Sequence, residues 1–188
     1  MAATETSICN LALQILGAQR ITSLSQDHKN ARAVAACYEH LRDVELEKHT
    51  WNFARAQAIP ALSGTTPDFN YAYAFDLPTD FLRLILPANN QCDWQIYGSQ
   101  LLTNEGSVIY VEYIRKITDP NAFPPTFIAA LAAKIAEFTC EEITQSTGKT
   151  ARAQGRYAEA ITLAKKNNAI QRVPIEAAED TWLSTRRS

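Results

Sequence analysis

The spacing of apolar residues changes twice along this chain, and those two changes limit the folds open to it. From Glu5 to about His49 apolar residues recur three or four positions apart; from Tyr71 to Ile114 they alternate; from Phe123 onward the helical spacing returns. A period near 3.6 gathers residues on one helix face, and a period of two gathers them on one strand face. Helices, then strands, then helices, without strand–helix alternation, indicate the α+β class.

The first helix is expected over Glu5 to Leu16, with Thr4 as N-cap and Gly17 just past its end. Ile8, Leu11, Ile15 and Leu16 make its apolar face. The second starts between Asp27 and Asn30 and ends near His49, with Val34, Tyr38, Leu41 and either Val44 or Glu45 turned inward. Arg42, Asp43 and Glu45 to Lys48 read as a solvated charged face. Pro124 and Pro125 open a third helix, buried through Phe127, Leu131, Ile135 (or Lys134) and Phe138, and Thr147-Gly148 end it. A fourth runs from about Lys149 to Asn168 with Tyr157, Ile161 and Ala164 inward.

Between them, Tyr71, Tyr73, Phe75 and Leu77 alternate with Ala72, Ala74 and Asp76. Pro78 cannot donate to a ladder, so the strand ends there, and Phe81 to Leu86 forms the next one. Trp94 to Gly98 and Gln100 to Thr103 flank a Gly98-Ser99 turn as a hairpin, and Val108 to Ile114 adds a further strand to one small, mostly antiparallel sheet. The expected architecture is a four-helix bundle with an inserted small antiparallel β-domain and an extended C-terminal arm. Its divisions are 1–50 for the first two helices, 51–120 for the β-domain, 121–168 for the last two helices and 169–188 for the arm.

Composition narrows the function. An apolar fraction of 46% supports a core without metals or disulfides. A net charge of −2 argues against a dedicated nucleic-acid binder, which needs a basic face for phosphates. No run of about 18 apolar residues suggests a membrane span. The opening MAATETSICNLALQILG lacks the basic region of a signal peptide, so a protein made and kept in the cytoplasm is expected. Cys9, Cys37, Cys92 and Cys140 are too far apart for a C-x-x-C site, and Cys9, Cys37 and Cys140, in helix-like segments, read as small apolar side chains.

The chemical motifs are weak. STGKT at 146–150 ends like a phosphate loop, but Ile143 stands where the first glycine belongs and no strand precedes it. His28, His40 and His49 lack the i, i+4 spacing of a metal pair, and a solvated or capping histidine is the better reading of each. Glu141 and Glu142 are adjacent and diverge on a helix. Asp76 and Asp80 flank the Leu77-Pro78 turn. They supply an alternative reading, a glycan hydrolase with paired carboxylates about 5 to 9 Å apart. Turn and cap roles account for them more simply. No cofactor, metal ligand or catalytic group is therefore expected. The segment from residue 169 is different: Pro174, Ile175, Trp182 and Leu183 stand in a polar setting with Arg186 and Arg187. Such a segment suits an anchor that inserts into a partner.

Taken together, Asn10-Leu11-Ala12, Leu16-Gly17, Ile21 to Leu24, Ala31, Tyr38, Arg42-Asp43, Trp51-Asn52-Phe53-Ala54, Tyr73 to Leu84, Gly98, Leu101-Leu102 and Tyr113-Ile114 follow a familiar order. In these pieces the chain resembles the head-to-tail adaptor proteins of short-tailed bacteriophages, the tail tubular protein A family. The resemblance implies a non-enzymatic virion protein at the head–tail junction, in a ring usually of twelve copies. The partners it implies are the portal protein, the tail nozzle protein and further copies of the chain. Genomic DNA would pass through the channel without specific binding, and no membrane is involved. C-terminal arms reach the portal, which would assign Pro174, Ile175, Trp182, Leu183, Arg186 and Arg187 to portal binding.

Overall fold

A computed structural model describes residues 2–87, 93–106 and 108–171. The class is α+β: four helices and two small antiparallel sheets among the described residues. Helix α1 spans Glu5–Leu16 and α2 spans Lys29–Glu47. Seven strands follow: β1 Arg55–Ala58, β2 Ala61–Leu62, β3 Tyr73–Asp76, β4 Phe81–Pro87, β5 Trp94–Tyr97, β6 Gln100–Thr103 and β7 Val111–Arg115. Helix α3 covers Pro125–Thr144 and α4 covers Thr147–Ile170.

The helix ends follow local chemistry. Thr4 and Ser7 exchange side-chain and backbone hydrogen bonds of 3.1 and 2.9 Å at the start of α1, satisfying two otherwise free N–H groups. Gly17 closes the helix at φ +67°, a left-handed conformation that glycine adopts without strain. The link to α2 is pinned from α1: Asn10 donates to the Ile21 carbonyl and accepts from the Ile21 N–H, both at 2.8 Å. His28 caps α2 by accepting the Asn30 N–H on Nδ1 at 3.2 Å.

Helix α3 lies against α1, α2 and α4. Its inner side, including Phe127, Leu131, Ile135 and Cys140, meets Ile8, Leu13, Val34, Tyr38 and Leu46 in the larger core. Cys9 and Cys37 lie there too, and burial pushes their thiols up to about 12 and about 11. Two expected inward residues face out instead: Leu11 and Phe138 are exposed, while Cys9, Ala12 and Leu13 take the inward places on α1. Helix α3 also ends earlier than expected. Gln145 adopts the left-handed conformation at φ +49°, and Gly148 lies in the first turn of α4.

The strands form two sheets, where a single one was expected. The three-stranded sheet has the order β1-β7-β4 and the four-stranded sheet β2-β3-β6-β5. The Leu77-Pro78 turn therefore carries the chain from one sheet to the other, and β3 and β4 are not partners. Sequential neighbours usually pair; here β3 pairs with β6, setting Phe75 opposite Leu101. The expected alternation in β3 also fails, because Ala74 and Phe75 are both buried and Tyr73 is exposed. The last strand starts at Val111, three residues later than Val108, and β1 and β2 carry no period-two signal long enough to read.

Successive residues of β7 point to opposite faces. Ile114 joins the helical core, with Leu82 and Ile85 packed beside it. Val111 and Tyr113 join a second core with Phe75, Leu77, Leu101 and Ile109. The three-stranded sheet is thus a middle layer, with helices on one face and the four-stranded sheet on the other.

Candidate functional site

The polar groups concentrate where the helices meet the middle sheet. The last turns of α2 carry Arg42, Asp43, Glu45 and Lys48 into this joint, and Arg42 and Glu45 are only 2% and 1% exposed. The expected solvated face is therefore partly an interior one. A buried charge needs a partner and hydrogen bonds to offset lost hydration. Arg42 Nε donates to Asp43 Oδ1 at 2.8 Å, and Lys116 Nζ, just after β7, reaches Asp43 Oδ2 at 2.8 Å. Burial acts to raise the Asp43 pKa, but the bonds from Arg42 and Lys116 outweigh it and hold the carboxyl below its ordinary value.

Glu45 ties α2 to α4. Both its carboxylate oxygens accept the Tyr157 hydroxyl at 3.0 Å, Lys48 Nζ lies 2.7 Å from Oε1, and the Glu45 carbonyl accepts Trp51 Nε1 at 2.8 Å. Lys134 of α3 sits 4.8 Å from the Tyr157 ring centroid, within cation–π range. Burial, then the negative charge of Glu45, pushes the Tyr157 hydroxyl well above its usual value.

Further along α4, Asn168 Oδ1 accepts the Asn52 N–H at 2.7 Å, its carbonyl accepts Asn52 Nδ2 at 2.8 Å, and its Nδ2 donates to the Thr50 carbonyl at 2.9 Å. Trp51, buried between these groups, meets His49 and Phe127 edge-on at 4.7 and 5.2 Å. Burial and the nearby Lys165 and Arg83 lower the His49 pKa. On the sheet side Asp80 Oδ1 accepts the Tyr113 hydroxyl at 2.9 Å, and its carbonyl accepts the Lys116 N–H at 2.6 Å. Burial, then Asp80, raises Tyr113 to about 12. Among the described residues two buried polar atoms lack a partner, the Tyr38 hydroxyl and Arg83 Nε.

The residues singled out from the sequence fall into three groups. Arg42, Asp43, Trp51 and Asn52 stand at this joint, whereas Asp80 and Tyr113 pair on the other face of β7, and Asp80 approaches the joint only through the Lys116 backbone. Asp76 stands away from it on the four-stranded sheet, with Oδ1 accepting Gln100 Nε2 at 2.9 Å. Pro174, Ile175, Trp182, Leu183, Arg186 and Arg187 lie outside the described residues, as does Cys92. The STGKT lysine has a structural use: Lys149 Nζ donates to the Leu16 carbonyl at 3.0 Å, where a cation complements the C-terminal end of α1.

Glu45 and Tyr157 had not been read as partners. Glu45 does share the three-to-four spacing of Val34, Tyr38 and Leu41, which was the available signal. No helix of the described residues is long and apolar enough to cross a membrane, and no group of three or more His, Cys, Asp or Glu among them is placed to hold a metal ion. Chemically the joint consumes its charges internally: each carboxylate there is bound by a neighbouring side chain. Compared with known proteins, the chain matches no family model and no curated protein sequence.

Proposed function

We propose that this chain is a structural head-to-tail connector of a tailed bacteriophage, forming a ring between portal and tail nozzle that continues the DNA channel. In this reading the four helices act as a four-helix bundle, the sheets are its projecting insert, and residues 169–188 are an extended arm whose Pro174, Ile175, Trp182, Leu183, Arg186 and Arg187 contact the portal. The ring has twelve copies, belongs to the virion, and does no bond-breaking chemistry.

The observation that supports this reading is the joint. Arg42-Asp43 and Trp51-Asn52, drawn from separate pieces of the adaptor resemblance, stand there, Asp43 reaching Lys116 beyond β7 and Asn52 bonding α4, while Asp80 ties the turn before β4 to Tyr113 on the other face of β7. A connector that transmits load between two assemblies needs such a rigid coupling between its layers. A hydrolase needs carboxylates left open to substrate, whereas Asp76 and Asp80 each hold a structural partner.

The test is to mix the purified chain with the portal protein of the same phage and measure the mass of the product, alongside a chain truncated after Gln171. The full chain should add a multi-copy ring to the portal, and the truncated chain should stay folded yet bind at least tenfold more weakly. A full chain that leaves the portal mass unchanged overturns the reading; equal binding by the truncated chain overturns the arm.

A further inference from the structure

Helix α4 carries an uneven share of the charge. Lys149, Arg152, Arg156, Lys165 and Lys166 stand against Glu159 alone, a net of +4, so the rest of the chain totals −6 within an overall −2. The helix buries little of itself: Ala153 and Ala164 are its buried residues. Arg152, Arg156, Glu159, Leu163, Lys166 and Ile170 recur at alternating steps of four and three, so they form one stripe along its outer side. All six are exposed, and Arg152, Arg156 and Lys166 form no salt bridge with any described residue.

A stripe that mixes cations with two large apolar side chains suits an acidic protein surface better than a phosphate backbone, which gains nothing from Leu163 (54% exposed) or Ile170 (73% exposed). The chain itself has a fitting surface. On the outward side of α2, Glu39 and Glu47 are exposed, as are the small Ala36, His40 and, one turn before Ala36, Arg32, whose charge is taken by Asp27. Within one molecule neither Arg156 nor Lys166 pairs with Glu39 or Glu47. One molecule thus has both halves of a contact that it leaves unmade.

We infer that the outer stripe of α4 docks against the outer side of α2 in a second copy of this chain. The inference rests on the ring reading and names the contact between neighbours. The two helices run antiparallel: Arg156 meets Glu47, Lys166 meets Glu39, and Ile170 lies over Ala36. The spacing permits this, since Glu39 and Glu47 are about 12 Å apart along their helix and Arg156 and Lys166 about 15 Å. Two different faces meeting in this way make a head-to-tail contact, the kind that closes into rings.

The experiment uses the full chain and two charge reversals of exposed residues, R156E with K166E and E39K with E47K, alone and combined. Self-association is followed by sedimentation, and a carbodiimide joins contacting amines and carboxylates for mass spectrometry. The wild type should associate and give an intermolecular Lys166–Glu39 link. Each reversal alone should weaken association at least tenfold, and the four changes combined should restore it.

Failure of the combined chain to recover, or a reversed chain that associates like the wild type, overturns the pairing. A ring that still forms on the portal would then be built on other faces. A wild type that remains monomeric at about 1 mM, the weak limit of specific association, also overturns it. So does retardation of a short DNA duplex that R156E with K166E abolishes while self-association is unchanged, because the stripe would then be a phosphate-binding face.

Discussion

Helices α3 and α4 are neighbours of similar length held in opposite ways. Helix α3 has 20 residues and buries nine of them; α4 has 24 and buries two alanines. Helix α3 is fixed by apolar packing against three partners. Helix α4 brings to the larger core only Ile161 and the small Ala153, Ala160 and Ala164, and adds polar latches: Lys149 on the end of α1, Tyr157 on Glu45, and Asn168 on Asn52 and Thr50. Apolar packing is non-directional and spread over many atoms, whereas a latch acts through one or two bonds. The two helices should therefore respond differently to single changes.

The largest break in the comparison is Phe127→Ala on α3. It removes a ring packed against Trp51 and Phe53 and should cost about 3 to 5 kcal/mol, seen as a lower denaturation midpoint for the whole molecule. A loss confined to α4 would contradict the central role of α3. Glu45→Ala comes next, at about 2 to 3 kcal/mol, because it removes the charged acceptor of the Tyr157 hydroxyl and the partner of Lys48. Hydrogen exchange should then speed up in α4 before it does in α3; equal acceleration in both would mean that α4 is not separately latched.

Tyr157→Phe is the sharper and smaller test, about 1 to 1.5 kcal/mol at neutral pH. The native hydroxyl titrates above its unfolded value near 10. Its contribution is therefore complete below pH 10 and is lost as pH climbs from there toward the native value. The stability difference between wild type and Y157F should accordingly shrink above pH 10. A difference that stays constant to higher pH would show that ring packing, not the hydroxyl, holds α4.

The helices were legible in the sequence because their signals are local. Thr4, Gly17, His28 and Pro125 act on backbone groups within one turn of themselves, and spacing alone separated most inward from outward positions. The exceptions have identifiable causes. Leu11 and Phe138 fit the apolar stripe of their helices but face outward, since which part of a stripe is covered depends on where the neighbouring helices lie. Glu45 was legible only as an alternative to Val44, because charge argued for solvent while spacing argued for the core. Tyr157, 112 positions away, supplies the partner that makes its burial tolerable.

The sheets were less legible for the same reason. Strands are marked locally, but pairing is a long-range choice. The hairpin of β5 and β6 follows from Gly98, whose φ of +60° suits a tight turn. The separation of β3 from β4 does not follow from Leu77-Pro78, because a turn between strands of one sheet and a crossing between two sheets use the same residues. The C-terminal site residues, Pro174 to Arg187, lie beyond the described residues and remain a reading of composition and resemblance.

What the sequence determined by itself was the succession of helix, strand and helix, the caps at their ends, and a core large enough to dispense with disulfides. These rest on propensity, spacing and composition, which act over a few residues at a time. Tertiary structure decided that there are two sheets, that Arg42 and Glu45 are interior, and that α4 is latched by polar bonds. Those outcomes depend on which distant groups arrive at the same place, and a buried charge is stable only once its partner has arrived.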